Sequence, residues 1–276
     1  MKADQIMAKP VKTIDKDQPV STALEMMDKS GISALPVTEE DRLVGLITEL
    51  DIVDRLGSGR AGTLAPGNIH VSSVMEWAPT TVPPTTDVVE AARLLVQRRE
   101  RAVVVTEGDA IVGILTNTHF VKLCTTIDNL RVRDLTLEKP VSVHLTDRVV
   151  HARQVLLAES LPGLPVLDEE GKIIGLVTKK RLALALAAFR RETPAKYQSQ
   201  RLRDFLVENI FTQTELTTTR NMVVKEAAEL LLREHQHLLP VMEKGLMQNI
   251  LIRRSLVDLV AKRFRSPQEK TGGKSK

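Results

Sequence analysis

Apolar residues recur along this chain in one pattern that occurs four times. In the first copy, Val20, Ala23 and Met27 have the spacing of a helix that lies on a sheet. Two apolar runs follow it, one ending in Val37 and the other in Thr48. The helical stripe returns at Val88-Ala91-Leu95, at Val149-Ala152-Leu156 and at Val224-Ala227-Leu231. Such a repeat predicts four copies of one structural unit, here called repeats 1 to 4.

Each repeat is predicted to fold as strand, helix, strand, strand and helix. In repeat 1, Gly31 is suited to a left-handed cap of the first helix. Pro36 predicts that its strand lies at an edge or ends irregularly. A small residue in the middle of every stripe predicts close helix–sheet packing, so four alanines should be buried: Ala23, Ala91, Ala152 and Ala227.

The second apolar run of three repeats ends in a Gly-hydrophobic-hydrophobic-Thr turn. These turns end at Thr48, Thr116 and Thr178, whereas repeat 4 has lost both the Gly and the Thr and ends at Ile252. Three residues beyond the last residue of this run, repeat 1 has the acid Asp51. Repeats 2, 3 and 4 have His119, Arg181 and Ser255 at that position.

This arrangement resembles the cystathionine-beta-synthase (CBS) domain. The resemblance implies an α+β fold in which four CBS repeats form two Bateman modules, each a pair of repeats. It covers nearly the whole chain, with the repeats at residues 4–56, 70–124, 131–189 and 201–262 and a basic tail at 263–276. Modules of this family commonly stack into discs, which implies either a homodimer or a disc within one chain.

The resemblance also implies that the protein binds adenosine-containing ligands, such as AMP, ADP, ATP or S-adenosylmethionine, and that it needs no cofactor. Asp51 would accept hydrogen bonds from two ribose hydroxyls, and Thr48 would contact ribose or phosphate. In repeats 2 and 3, Thr116 and Thr178 match Thr48, and His119 and Arg181 replace the acid and could donate hydrogen bonds to a phosphate. Arg101, just before a strand of repeat 2, could also contact a phosphate. The adenine walls of the first site would be Thr13, Ile14, Ala34, Leu35 and Pro36.

A purely structural interpretation of Thr48 and Asp51 stays open. A Thr followed three residues later by an acid is also typical of a helix capping box, which is worth ~1 kcal/mol without any ligand. His235 and His237 flank Gln236 on a predicted strand, but no Cys lies close by in the sequence, so no metal site is expected.

Charge and composition narrow the classes of function. The net charge is +4, and residues 262–276 hold six Lys or Arg and one Glu, a net +5, so the remainder sums to −1. The tail should be disordered, and nucleic-acid binding by the folded part is not expected because aromatic residues are only 3% of the chain. The single Cys124 and the lack of an ~18-residue apolar run indicate a cytoplasmic protein without a membrane span.

No catalytic motif stands in the sequence, so a non-enzyme is expected. The favoured hypothesis is a ligand-sensing regulatory protein that acts on a target protein not identifiable from the sequence. Two alternatives stay open: a nucleic-acid-associated regulator that uses the basic tail, and a structural oligomerising subunit with vestigial sites.

Overall fold

The computed structural model describes residues 1–57, 64–97 and 102–263. The predicted order of strand, helix, strand, strand and helix is present in every repeat. Repeat 1 contains β1 (Ile14–Asp15), α1 (Val20–Ser30), β2 (Ala34–Glu39), β3 (Arg42–Thr48) and α2 (Glu49–Gly57). Repeat 2 contains β4 (Glu76–Trp77), β5 (Thr81–Val82), α3 (Val88–Gln97), β6 (Ala102–Glu107), β7 (Ala110–Thr116) and α4 (Asn117–Cys124).

The second half of the chain repeats this order with one added helix, α7, between repeats 3 and 4. Repeat 3 contains β8 (Val143–His144), α5 (Val149–Ala158), β9 (Gly163–Leu167), β10 (Ile173–Thr178) and α6 (Lys179–Glu192), and α7 (Ala195–Arg201) follows. Repeat 4 contains β11 (Thr212–Gln213), β12 (Thr218–Thr219), α8 (Val224–Arg233), β13 (Leu238–Glu243), β14 (Leu246–Ile252) and α9 (Arg253–Arg263).

The strands form small sheets that pair the repeats two by two. The sheet orders are β1-β2-β3-β4, β5-β6-β7, β11-β10-β9-β8 and β12-β13-β14. The segment that leads into each repeat crosses to the sheet of its neighbour: β4 of repeat 2 pairs with β3, and Ala8 of repeat 1 bridges Ile114 on β7. Repeats 3 and 4 exchange their leading segments in the same way, through β11 on β10 and Glu138 on Ile250. The predicted α+β fold of two Bateman modules is confirmed.

This exchange explains the glycine of the repeated turn. A Cβ at Gly45 would lie 3.0 Å from the carbonyl oxygen of Glu76, and a Cβ at Gly175 would lie 2.5 Å from that of Thr212. Both oxygens belong to the crossing segments, so the glycine makes room for the backbone of the neighbouring repeat. Repeat 4 has Asn249 at this position, and its Nδ2 donates to the carbonyl oxygen of Glu138 at 3.3 Å.

The prediction for Pro36 is wrong, because β2 lies inside its sheet, between β1 and β3. The strand tolerates the proline because β1 pairs only from Val37 onward, so the missing N–H of Pro36 has no neighbouring strand to reach. In repeat 2 the same position is Val104, and its N–H donates to the carbonyl oxygen of Thr80 at 3.1 Å. Gly31 has a φ of 63°, which confirms the left-handed cap.

Helix packing joins the two modules within one chain. The four alanines predicted to be buried are all fully buried. One hydrophobic core combines repeats 1 and 3 and a second combines repeats 2 and 4. In the first, α2 packs on α5 and α6, and in the second, α4 packs on α8 and α9 while α3 packs on α9. The two modules therefore pack on each other within one chain, as an intrachain disc requires.

Two arginines reinforce the contact between repeats 1 and 3. Arg153 on α5 donates to the carbonyl oxygens of Val53 and Asp54, at 3.1 Å and 2.8 Å, and to the Asp54 carboxylate at 2.6 Å. Arg190 on α6 is buried and donates twice to the carbonyl oxygen of Leu56, at 3.1 Å and 2.8 Å. Both guanidinium groups thus satisfy carbonyls at the C-terminal end of α2, where a helix attracts cations.

Candidate ligand-binding cleft

A cavity of about 720 Å³, here called the central cleft, opens between repeats 1 and 2. One of its walls is apolar and comes from the leading segment of repeat 1, from β2 and from β7: Ala8, Val11, Ala34, Pro36 and Ile114. The crossing of the leading segment creates this wall, because it carries residues of repeat 1 across to the strand that ends at Thr116.

The remaining walls of the central cleft are mostly basic. Cations or imidazoles reach it from all four repeats: Lys12, His119, Lys122, Lys180, His235, His237 and Arg253. Glu49 is the one carboxylate among the described residues that line the cleft. The cleft therefore has an excess of positive charge although the folded part of the chain is nearly neutral.

The second helices of the four repeats begin together at the middle of the molecule. Their first residues line a smaller cavity of about 130 Å³, here called the inner cavity: Glu49, Asn117, Lys179 and Arg253. His237 and Arg253 line both cavities, so the inner cavity continues the central cleft. Helix N-termini carry partial positive charge, and four of them meeting here favour an anion.

Arg253 is the most deeply buried cation of the cleft. Its Nε donates to the carbonyl oxygen of Gln236 at 2.8 Å, and its two terminal nitrogens donate to Thr118 Oγ1 at 2.7 Å and to the carbonyl oxygen of Leu231 at 3.0 Å. Burial lowers the pKa of Arg253 to about 10, so the group is still charged at neutral pH. Its hydrogen-bond partners among the described residues are two carbonyl oxygens and a hydroxyl, and none of them is an acid.

Two other groups at the inner end have altered proton affinities. Burial raises the pKa of Glu49 to about 6, against the opposing effect of Lys179 and Lys180. Burial, with a smaller contribution from the nearby Arg253, lowers the pKa of His237 to about 3. His237 is therefore neutral at physiological pH, and Glu49 titrates just below it.

The Thr turns of repeats 1 and 2 are both helix caps. Asp51 Oδ2 accepts hydrogen bonds from the Thr48 N–H at 2.8 Å and from the Thr48 hydroxyl at 2.6 Å. His119 Nδ1 accepts the Thr116 N–H at 2.9 Å and lies 3.2 Å from the Thr116 hydroxyl oxygen. Burial, followed by the charge of Lys122, lowers the pKa of His119, which keeps the ring neutral.

The predicted site residues are distributed over several parts of the structure. Four of them line the central cleft, namely Ala34, Pro36, Thr116 and His119. Thr48 lines the inner cavity, and neither Thr48 nor Asp51 is among the residues that line the central cleft. Ala34 pairs with Thr48 in the sheet, yet Ala34 and Pro36 line the central cleft together with Thr116 and His119 of repeat 2.

The other predicted site residues lie elsewhere. Ile14 and Leu35 are buried in the core of repeats 1 and 3, because strand alternation directs them away from Ala34 and Pro36. Thr13 is exposed. Arg181 lines a separate groove of about 430 Å³ on α6, and its N–H donates to Thr178 Oγ1 at 3.2 Å. The predictions for Arg101 and for residues 264–276 of the tail lie outside the described residues.

Several residues of the cleft were missed by sequence reasoning. Glu49, Lys179 and Arg253 follow the turn directly, and an alignment of that one position across the repeats would have drawn attention to them. Lys12 and Lys122 carry no signal in the repeat pattern, since only the folded chain brings the leading segment of repeat 1 beside α4.

Within residues 1–57, 64–97 and 102–263, no three His, Cys, Asp or Glu side chains are grouped as metal ligands. Over the same ranges, no helix has the length and apolar character needed to cross a membrane.

Comparison with known proteins identifies related chains. Protein MJ1225 of Methanocaldococcus jannaschii is 23% identical over 191 residues, which cover 64% of this chain and 66% of that protein. The crystal structure of MJ1225, described as a proposed archaeal homologue of γ-AMPK, has a TM-score of 0.82 at 20% identity and covers 94% of this chain and 99% of its own. An uncharacterised Pyrococcus horikoshii protein has a TM-score of 0.63 at 21% identity, covering 94% and 100%.

Shorter similarities lie in larger proteins. Inosine-5'-monophosphate dehydrogenase of Thermoplasma acidophilum is 29% identical over 114 residues, which are 41% of this chain but 21% of the enzyme. The chain thus spans about two thirds of MJ1225 and a fifth of the dehydrogenase. The family model for the CBS domain matches residues 3–58, 71–125 and 132–188, more than half of the sequence. This chain therefore belongs to the CBS-domain family.

Proposed function

We propose that this protein is a non-catalytic, cytoplasmic regulatory protein that senses an adenosine nucleotide in the central cleft. The observation that carries the proposal is Arg253, a buried cation without a described acidic partner, at the inner end of a cleft that has one apolar wall. A buried charge of this kind is stabilised by a bound counter-ion.

The apolar wall suits the base of such a ligand. Ala34 on β2 and Ile114 on β7 belong to one small hydrophobic cluster between the two sheets, with Ala8 and Val11 packed against it. A purine ring can lie against this cluster while its edge meets main-chain groups of the leading segment. A cavity of about 720 Å³ is within the usual range for small-molecule sites.

The polar groups of the inner end suit phosphates. Two cations, Arg253 and Lys180, and the neutral imidazole of His237 stand where the central cleft meets the starts of the second helices. AMP, ADP and ATP match this charge, whereas the sulfonium centre of S-adenosylmethionine is itself cationic. The favoured ligand class is therefore the nucleotides.

Regulation follows from the origin of the walls. Repeats 1 and 2 supply the apolar part, and repeats 3 and 4 supply Lys180, His237 and Arg253. A ligand in the cleft would contact both modules and stabilise one arrangement of the disc in proportion to its concentration and affinity. A target protein would then read that arrangement.

Isothermal titration with AMP, ADP, ATP and S-adenosylmethionine tests the proposal. We expect at least one nucleotide to bind about tenfold more tightly than S-adenosylmethionine, and His237→Ala to weaken that binding by about tenfold. His151→Ala is the matched control, because His151 is exposed on α5 and should leave affinity unchanged. A parent protein that binds none of the four ligands would overturn the proposal and favour a structural subunit with vestigial sites.

A further inference from the structure

His119 gives the central cleft a property that an acidic residue at this position would not. Its Nδ1 accepts the Thr116 N–H at 2.9 Å, so the proton of the neutral ring is on Nε2. No described residue accepts a hydrogen bond from Nε2. The ring edge that remains for a ligand is therefore a donor, whereas a carboxylate would be an acceptor. A donor is suited to an anionic oxygen.

Further cations surround this donor at the outer end of the cleft. Lys122 lies three residues beyond His119 on α4, hence on the same helix face, and both line the cleft. Lys12 comes from the leading segment of repeat 1, where its Nζ donates to Ser30 Oγ at 2.7 Å. The acid Glu49 belongs to the inner end, since it also lines the inner cavity.

The polar residues of the cleft therefore form two groups, one that also lines the inner cavity and one that lines the central cleft alone. The inner end contains Arg253 and His237, which continue into the inner cavity, and the outer end contains His119, Lys122 and Lys12. One phosphate group at the 5' position satisfies the inner end alone. A second phosphate on the ribose would meet the outer end, in the same way that a basic residue replaces an acid where dinucleotide-binding proteins accept a 2'-phosphate.

We propose that the central cleft selects an adenosine bisphosphate group, with one phosphate at the 5' position and a second on the 2' or 3' oxygen of the ribose. This inference rests on the proposed nucleotide-sensing function and specifies its ligand. The bisphosphate can be a free nucleotide or a part of a larger cofactor, because both present the same two phosphates to the two ends of the cleft.

Titration of the full chain with 5'-AMP, ADP, adenosine 2',5'-bisphosphate and adenosine 3',5'-bisphosphate tests the inference. We expect one of the two ribose-phosphorylated compounds to bind at least about tenfold more tightly than 5'-AMP and ADP, since hydrogen bonds to charged groups are among the stronger ones. Binding of the complete dinucleotide or coenzyme that contains the preferred bisphosphate, compared with the bisphosphate alone, distinguishes the two sources.

His119→Asp is the decisive variant. Asp51 shows that an aspartate at this position caps the helix in repeat 1, so the variant should fold. It should lose about tenfold or more in affinity for the preferred bisphosphate and gain affinity for 5'-AMP. Lys122→Ala should weaken only the bisphosphate by about tenfold, whereas Lys225→Ala, an exposed change on α8, should alter neither ligand.

The possible failures are distinguishable. If 5'-AMP or ADP binds as tightly as both bisphosphates, the ribose-phosphate inference is overturned and nucleotide sensing stands. An unchanged preference in His119→Asp also overturns the inference. If none of the nucleotides binds, both proposals fall.

Discussion

The helix starts at Thr48 and Thr116 are equivalent in the repeat but differ in chemistry. Each Thr N–H is accepted by the side chain three residues ahead, at 2.8 Å by Asp51 and at 2.9 Å by His119. The shared geometry shows that this position is a helix cap in both repeats. The cap requires only an acceptor atom, so the remaining atoms of the side chain can differ and can serve different ligands.

The two starts also differ in the residue that follows the threonine. Repeat 1 has Glu49, buried between cations, and repeat 2 has the neutral Asn117. The comparison also shows why sequence alone does not identify the acid of the motif, Asp51, as a ligand contact. Its hydrogen bonds to Thr48 cap the helix, and this role explains in part why an acid stands there. A ribose role for Asp51 stays a prediction.

The largest expected effect tests that role. Asp51→Ala should weaken adenosine-ligand binding at the Thr48 turn, which is not part of the lining of the central cleft, by about 10- to 100-fold, because a carboxylate that accepts ribose hydroxyls contributes charge-assisted hydrogen bonds. Asp147→Ala is the matched control, since Asp147 accepts the His144 N–H at 2.8 Å and likewise opens a helix. Unfolding without ligand measures the lost cap, about 1 kcal/mol. Parent-like titration curves for Asp51→Ala would leave the cap as its only role.

A change that makes repeat 1 resemble repeat 2 sharpens the comparison. The pKa of Glu49 is about 6 in the fold against an ordinary 4.5, so the protonated form is favoured. The stability that the protonated Glu49 contributes is fully present below pH 4.5 and is lost as the pH rises through 6. Glu49→Gln mimics the protonated form and should raise the free energy of unfolding by up to about 2 kcal/mol at pH 7.5, with little effect at pH 4.

Urea unfolding at the two pH values measures this difference. Glu25→Gln is the control, because Glu25 is exposed on α1 and forms only a surface pair with Lys29 at 3.6 Å. A Glu49→Gln variant that is less stable than the parent at pH 7.5 would show that the ionised carboxylate is needed by the cations of the inner cavity.

A smaller effect concerns the cap of repeat 2. Burial, and to a smaller extent the charge of Lys122, lowers the pKa of His119 below its ordinary 6.5. The neutral ring therefore stabilises the fold above pH 6.5, and this stabilisation is lost as the pH falls through the pKa of His119 in the folded protein. His119→Ala should cost about 1 kcal/mol at pH 7.5, and its difference from the parent should shrink on acidification. A difference that does not change with pH would mean that the imidazole stabilises α4 by packing alone.

The last prediction is that the molecular mass in solution does not change. Because the modules already cover each other's helices within one chain, light scattering of the parent and of these variants should give one mass near 30.6 kDa, with or without ligand. Twice that mass would support the homodimer and would mean that a further surface of the disc is used between copies.

Local patterns in the sequence predicted much of the fold. The features that they did not predict depend on contacts between repeats. The stripe containing Ala23 and the turn at Gly31 depend on neighbours in sequence, and periodicity reports such neighbours directly. Gly45 was recognised as part of a turn, but its cause is the carbonyl of Glu76 in the next repeat. Pro36 was predicted to lie at an edge or an irregular strand end. The sequence does not show that β1 is short and pairs with β2 only from Val37 onward.

The candidate site was predicted less completely for the same reason. Ala34 and Pro36 were predicted to form a site with Asp51, whereas in the fold they line the central cleft with His119. Arg253 belongs to the repeat that has lost the motif, so it was not expected at a site. A pattern found four times identifies the unit, but it does not tell which unit completes which cleft.

The crossing strand β4 has a spectroscopic consequence. The chain contains a single tryptophan, Trp77, which is 56% exposed on β4 and pairs with Gly45, three residues before Thr48. The equivalent crossing at the other turn uses Ala8, which does not fluoresce. Tryptophan emission therefore originates beside the turn of repeat 1 alone, and the native chain already carries a probe that separates the two halves of the first module.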